Sequence, residues 1–300
     1  MPAADHSHHA KGLLLTAIGG MALTVDIPLI RLADGAPWSI LMIRCGTTLA
    51  ATFVLWLVMR RLTRETPPLI PGRSGAIVAL LYAMSSITFI TAVYNTGTAN
   101  LVFILAFNTM FAALLSWLFL KERPGPATLI AMAAMLVGVL IIVGDGISSG
   151  HLFGDLMALA SAFCIASAIT ITRASGKNMG FTALVAVALP FLVAVAMVRQ
   201  TGYHVAAPWW IVFNGSIIMP LSFFCLASGP RYLSAPEVAM FYLLETVLAP
   251  VWVWMIFSEV PSRQSVIGGT ILIVSLVAHS LWQLHQGRKR RAAAVVRHPA

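Results

Sequence analysis

Glu245 stands inside the stretch MFYLLETVLAPVWVWMIFSEVP (Met240 to Pro261), which is otherwise apolar up to its closing acid. A carboxylate in hydrocarbon can bind a proton or a cation such as an ammonium group, and on insertion scales an ionisable side chain at a helix centre costs about 2.5–3.5 kcal/mol. The default expectation is that such a group faces a cavity or a partner. Asp26 poses the same question in the first apolar run, where Pro28 removes a backbone donor and frees a carbonyl near the acid. Asn108 occupies a comparable place in FILAFNTMFAALLSWLFLKERP (Phe103 to Pro124). Glu245 lies too deep to snorkel out, whereas Arg44 and His279 lie near the ends of their runs, can reach the interface, and are weaker candidates.

Neighbours on shared helical faces extend the set. Tyr242 precedes Glu245 by three residues and Trp252 follows it by seven; Tyr82, Ser86 and Phe89 share one face, and Trp210, Asn214 and Ile217 another. Rings with a few fixed polar groups suit a cavity for an amphiphilic ligand. The same stripes can instead pack helices together or form an interfacial belt.

The elements that must position these residues are membrane helices. Of 300 residues, 59% are hydrophobic and 10% charged, far from the roughly 25% charged residues of soluble domains. Ten runs are long enough to cross a hydrocarbon core: about 12–31, 38–59, 75–94, 98–120, 126–144, 153–172, 180–199, 207–228, 234–257 and 263–284. Short polar connections with Pro and Gly separate them. The first run is too long, and too interrupted by Asp26 and Pro28, for a cleaved secretory signal. Alternating the spans places fifteen Lys and Arg on the side of the amino terminus, among them Arg60, Lys121, Arg173 and the tail GRKRR, and leaves only Arg31, Arg199 and Arg263 opposite. The positive-inside rule then puts both termini in the cytoplasm.

The chain repeats itself. An offset of 137 residues lays Phe103–Pro124 on Met240–Pro261, matching Thr109 with Thr246, Ala112 with Ala249, Trp117 with Trp254, Glu122 with Glu259 and Pro124 with Pro261. The match joins the fourth span of each half. The expected organisation is a cytoplasmic tail (1–11), a five-helix repeat (12–144), a second (153–284) and a basic cytoplasmic tail (285–300). Five is odd, so the second copy enters the membrane from the opposite side. Such inverted repeats underlie alternating-access transporters, with the substrate site near the midplane between the copies.

The endings LFLKERP and IFSEVP and the sixth-span opening GDLMALASAFCIASAITITR (Gly154 to Arg173) resemble the drug/metabolite transporter superfamily, ten-helix EamA-type, and among its members the bacterial exporters of aromatic amino acids and methionine. The resemblance implies an all-α bundle of ten transmembrane helices around a central cavity, in the bacterial inner membrane, with small metabolites or drugs as cargo. Spans three and eight lack the Lys-rich patterns of nucleotide-sugar and triose-phosphate carriers, which argues against phosphorylated cargo.

The remaining features exclude more than they add. The net charge of +9 reads as topology signal and contact with anionic headgroups rather than nucleic-acid binding. Cys45, Cys164 and Cys225 fall inside spans and imply no disulfides. HSHH at residues 6–9 reads as a tail. No P-loop, His-Glu-x-x-His or Gly-x-Ser-x-Gly pattern is present, so no ATPase subunit, metal, cofactor or catalytic residue is expected. The expectation is a monomeric secondary exporter of a small amphiphilic metabolite. The alternatives are a multidrug or cationic-compound exporter of the same fold, and a membrane enzyme or lipid-handling protein. Glu245 and Asp26 could couple export to protons by letting a proton compete with an ammonium-bearing cargo. Alternatively, Glu245 and Asn108 are paired structural groups and transport is uncoupled.

Overall fold

The computed structural model describes residues 3–62, 68–121, 123–177, 179, 181–228 and 235–297. The chain is helical throughout these: α1 (Ala3–Leu23), α2 (Asp26–Leu32), α3 (Pro37–Leu62), α4 (Gly72–Asn95), α5 (Thr98–Ala106), α6 (Asn108–Leu120), α7 (Pro126–Ser149), α8 (Leu152–Ser175), α9 (Thr182–Val185), α10 (Ala188–Thr201), α11 (Pro208–Phe213), a π-helical turn (Asn214–Ile218), α12 (Met219–Ser228), α13 (Ala235–Phe257) and α14 (Arg263–Arg297). Among the described residues, nine helical stretches are long and apolar enough to cross a membrane, and Leu244–Phe257 is a shorter apolar stretch in the span-9 helix.

Spans 1, 4, 7 and 8 are interrupted rather than continuous, and three of the breaks have one physical cause. Proline has no N–H to give the carbonyl four residues earlier. Pro28 thus releases Thr24, where α1 and α2 part; Pro190 releases Ala186, where α9 and α10 part; Pro220 releases Ser216, inside the π turn. The break at Phe107, between α5 and α6, has no proline behind it. Pro250 leaves α13 unbroken.

Packing follows the repeat. The most extensive contacts join α4 with α8, α14 with α7, α1 with α12, and α10 with α3. In span numbers these are 3 with 6, 10 with 5, 1 with 8, and 7 with 2. Exchanging each span for the one five places away maps this set onto itself. The α6–α8 and α1–α13 contacts, spans 4 with 6 and 1 with 9, exchange in the same way.

In spans 2 and 4 burial falls off away from the end of the bundle that carries Arg31. In α5, which runs from that end, every residue except Leu105 is buried, whereas α6, which completes the span, buries only Ser116. In α3 no residue after Thr52 is buried. At the Arg31 end the α2–α3 linker also pairs with the α10–α11 linker, through Ala36 N–H to His204 O (2.9 Å), Ala206 N–H to Asp34 O (2.8 Å) and Ala207 N–H to Ala33 O (3.0 Å).

Glycine permits a close crossing of α7 and α14. Gly138 in α7 and Gly268 in α14 face each other so tightly that a Cβ on either would lie 2.8 or 2.6 Å from the other's carbonyl oxygen. Small residues permit such approaches between membrane helices. Gly268→Leu should push α7 and α14 apart and cost about 1–3 kcal/mol, read as a lower unfolding temperature in detergent. Gly144→Ala, on α7 with nothing within 4 Å of the added methyl, should leave that temperature unchanged or raise it.

Candidate functional site

Asp26 opens α2 directly after the break that Pro28 imposes, and it is 3% exposed. Its carboxylate meets two partners from other spans. The Arg44 guanidinium of α3 donates from Nη2 to Oδ2 at 2.9 Å, and the Asn214 amide donates from Nδ2 to Oδ1 at 2.7 Å. Arg44 Nε donates in turn to Asn214 Oδ1 at 3.3 Å, which closes a triangle. Asn214 Nδ2 also lies 3.3 Å from the Asp26 backbone carbonyl. The guanidinium sits 5.5 Å from the Phe89 ring centroid, and its Nη2 lies 3.0 Å from Met219 Sδ. Arg44 is 8% exposed and Asn214 fully buried; instead of reaching the interface, Arg44 is the counter-ion of Asp26.

The local backbone explains the meeting. The π turn brings Asn214 toward α3, and Gly215 makes the approach possible, because a Cβ there would lie 2.5 Å from the Arg44 carbonyl oxygen and 2.1 Å from Thr47 Oγ1. Irregular membrane backbone of this kind frequently marks functional sites.

Glu245, partly buried on α13, lies within electrostatic reach of both Asp26 and Arg44. Trp252, two turns along the same helix, donates from Nε1 to Thr24 Oγ1 at 3.1 Å and so ties α13 to the break beside Asp26. The centre therefore holds two carboxylates against one guanidinium.

The other expected site residues divide. Phe89 lies under Arg44 as described, and Ser86, one turn earlier on α4, is partly buried. Tyr82 packs toward the interface of α4 with α8, beside Val78, Ala168 and Met179. Asn108 is the first residue of α6, at the break in span 4. The side chain of Tyr242 lies outside the described residues. Trp210 and Ile217 do not share a buried face with Asn214: they are 37% and 50% exposed, and for Ile217 the π turn changes the register that the regular-helix spacing assumed. His279 is held away from the centre, 3.0 Å from Thr128 Oγ1 on α7 and stacked near Trp282. Met219 was absent from the expected set, and the proline four residues after Ser216 was the available signal that span 8 bends there.

The chain matches the EamA-like transporter family over residues 10–144 and again over residues 152–281. It is 23% identical over 281 residues to the pseudopaline exporter CntI of Pseudomonas aeruginosa, covering 90% of this chain and 96% of that one. It is 22% identical to a riboflavin transporter of Vibrio cholerae, over 62% of this chain and 63% of that one. Its fold matches a crystal structure at a TM-score of 0.65 with 14% identity, covering 91% of this chain and 98% of the other. With two successive matches that together span most of its length, this chain is a membrane transporter of the EamA-like family.

Proposed function

We propose that the protein is a secondary exporter of a small amphiphilic metabolite that carries an amine, most simply an amino acid with a large side chain such as an aromatic amino acid or methionine. Export runs by alternating access from the cytoplasm across the bacterial inner membrane, with both termini inside, as the bias of fifteen Lys and Arg toward one side supports. The observation that carries the reading is the composition of the centre. Asp26 is satisfied by Arg44 and Asn214, which leaves the Glu245 carboxylate to meet a cationic group, while Phe89 and Trp252 supply rings close by. Relatives named as exporter and riboflavin transporter support a small organic cargo. In this scheme a proton and the cargo's ammonium group compete for Glu245, and gradient-driven exchange follows.

The same surplus carboxylate favours a second cargo class, lipophilic cations, and one experiment separates the two. Proteoliposomes preloaded with labelled phenylalanine, methionine or a lipophilic cation are compared for efflux, with and without an imposed pH gradient, as wild type and as Glu245→Gln. Amino-acid efflux above that of empty vesicles, accelerated by the gradient in wild type and insensitive to it in the variant, is the expected result. Movement of the cation alone would replace the amino-acid assignment. Efflux that ignores both gradient and mutation would make Glu245 structural and the protein a facilitator.

The buried pair makes a separate prediction about stability. Arg44→Leu leaves Asp26 without its cation and should cost about 3–5 kcal/mol, measured as loss of folded protein on heating in detergent. The double variant Asp26→Leu with Arg44→Leu should recover a large part of that loss, since replacing both members by apolar groups removes the uncompensated charge.

A further inference from the structure

Glu259 follows α13 in the connection to α14, directly after Ser258, whose φ of 56° is left-handed and turns the chain back over the bundle. Its carboxylate belongs to the second repeat, yet its partners belong to the first. Oε1 accepts the backbone N–H of Thr98, the first residue of α5, at 2.7 Å, and the Thr98 hydroxyl lies 3.5 Å from Oε2. Oε2 also pairs with the guanidinium of Arg31 in the last turn of α2. Arg31 Nη2 reaches the carbonyl oxygens of Val93 (3.5 Å) and Thr96 (3.4 Å) at the end of α4. One acid thus gathers the ends of spans 1, 3, 4 and 9. Each charge also suits its helix, the anion at the positive end of α5 and the cation at the negative end of α2.

Two facts about the surroundings give this cluster a direction. On one side lies a cavity of about 920 Å³ lined by Arg31, Asp34, Asp145, His151, Glu259 and Ser262 among others. On the other lie buried apolar residues: Ile27 and Ile30, between Asp26 and Arg31 on α2, Val253, between Glu245 and Glu259 along α13 and its end, and Val102 and Ile104, one to two turns into α5 from Thr98, are at most 2% exposed and form a dry layer. The buried layer and the ion pair close the bundle at this end, while α6 and the later part of α3 bury almost nothing at the other.

We propose that Glu259, Arg31 and the Thr98 amide form the outer latch of the transport cycle, closed in this structure and broken when the centre opens to the cavity outside. The inference rests on the exporter reading and its orientation. About a quarter of each charged side chain is exposed, so water can replace the contacts and the latch is weak compared with the buried Asp26–Arg44 pair. A device that opens in every cycle requires that property, because cargo or proton binding can shift the equilibrium only by its differential affinity for the two states.

The test reads accessibility and needs no cargo, so its failure is distinguishable from failure of the exporter reading. In a background carrying Cys45→Ala, Cys164→Ala and Cys225→Ala, Val102→Cys places a thiol in the dry layer. Its modification by a membrane-impermeant maleimide added from outside to right-side-out vesicles should be slow, and Glu259→Gln or Arg31→Gln should speed it several-fold. A control retaining Cys164 as the single thiol should label at the same rate with either latch variant; a parallel rise at Cys164 would mean general loosening and would overturn the latch. Equal labelling of Val102→Cys with and without Glu259 or Arg31 would overturn the proposal.

Discussion

A carboxylate and a guanidinium can leave water together only if their remaining donors and acceptors also find partners. Asp26 and Arg44 meet that condition through Asn214, which touches both, and through the ring and sulfur that cover the guanidinium. The three residues come from spans 1, 2 and 8, so the contact fixes helices of both repeats relative to one another. Two backbone irregularities make it possible. The break before Asp26 starts a new helix at the acid, and the π turn at Asn214, with Gly215 behind it, admits the amide against α3. A regular helix in either place would leave a buried charge short of a partner.

The ion pairs Asp26–Arg44 and Arg31–Glu259 serve different purposes, and their surroundings show why. Asp26–Arg44 is enclosed, and Asn214 hydrogen-bonds both members. Arg31–Glu259 sits beside a cavity of about 920 Å³, and its second attachment is a helix amide. The first can hold an arrangement through a cycle; the second can be exchanged for water at little cost.

Much of this was legible in the sequence. The run lengths gave the spans, and the polar interruptions gave Asp26, Asn214, Glu245 and, as a weaker candidate, Arg44, because their cost in hydrocarbon makes a partner obligatory. Pro28 announced its break. Pro190 and Pro220 carried the same signal for spans 7 and 8, and reading it would have put the alignment of Ile217 with Asn214 in question. The partners were not legible, because hydrophobic periodicity says which face is buried but not which helix meets it. Arg31 counted only as a topology charge and Glu259 only as a repeat marker, since their meeting depends on a turn at Ser258 and on helix ends far apart in sequence. The break at Phe107 has no residue type that predicts it.

The pairing of spans has a consequence for how the protein is made. Every one of the most extensive contacts joins a helix of the first repeat to a helix of the second: 3 with 6, 5 with 10, 1 with 8 and 2 with 7. While the ribosome is still synthesising the second repeat, the first five helices therefore lie in the bilayer with their principal packing faces turned to lipid or to the insertion machinery. Span 5 keeps the Gly138 notch empty until span 10, the last to be synthesised, arrives with Gly268. Assembly is thus a late event that closes once the chain is nearly complete, and a chain truncated before α14 loses the partner of span 5 as well as its own last helix.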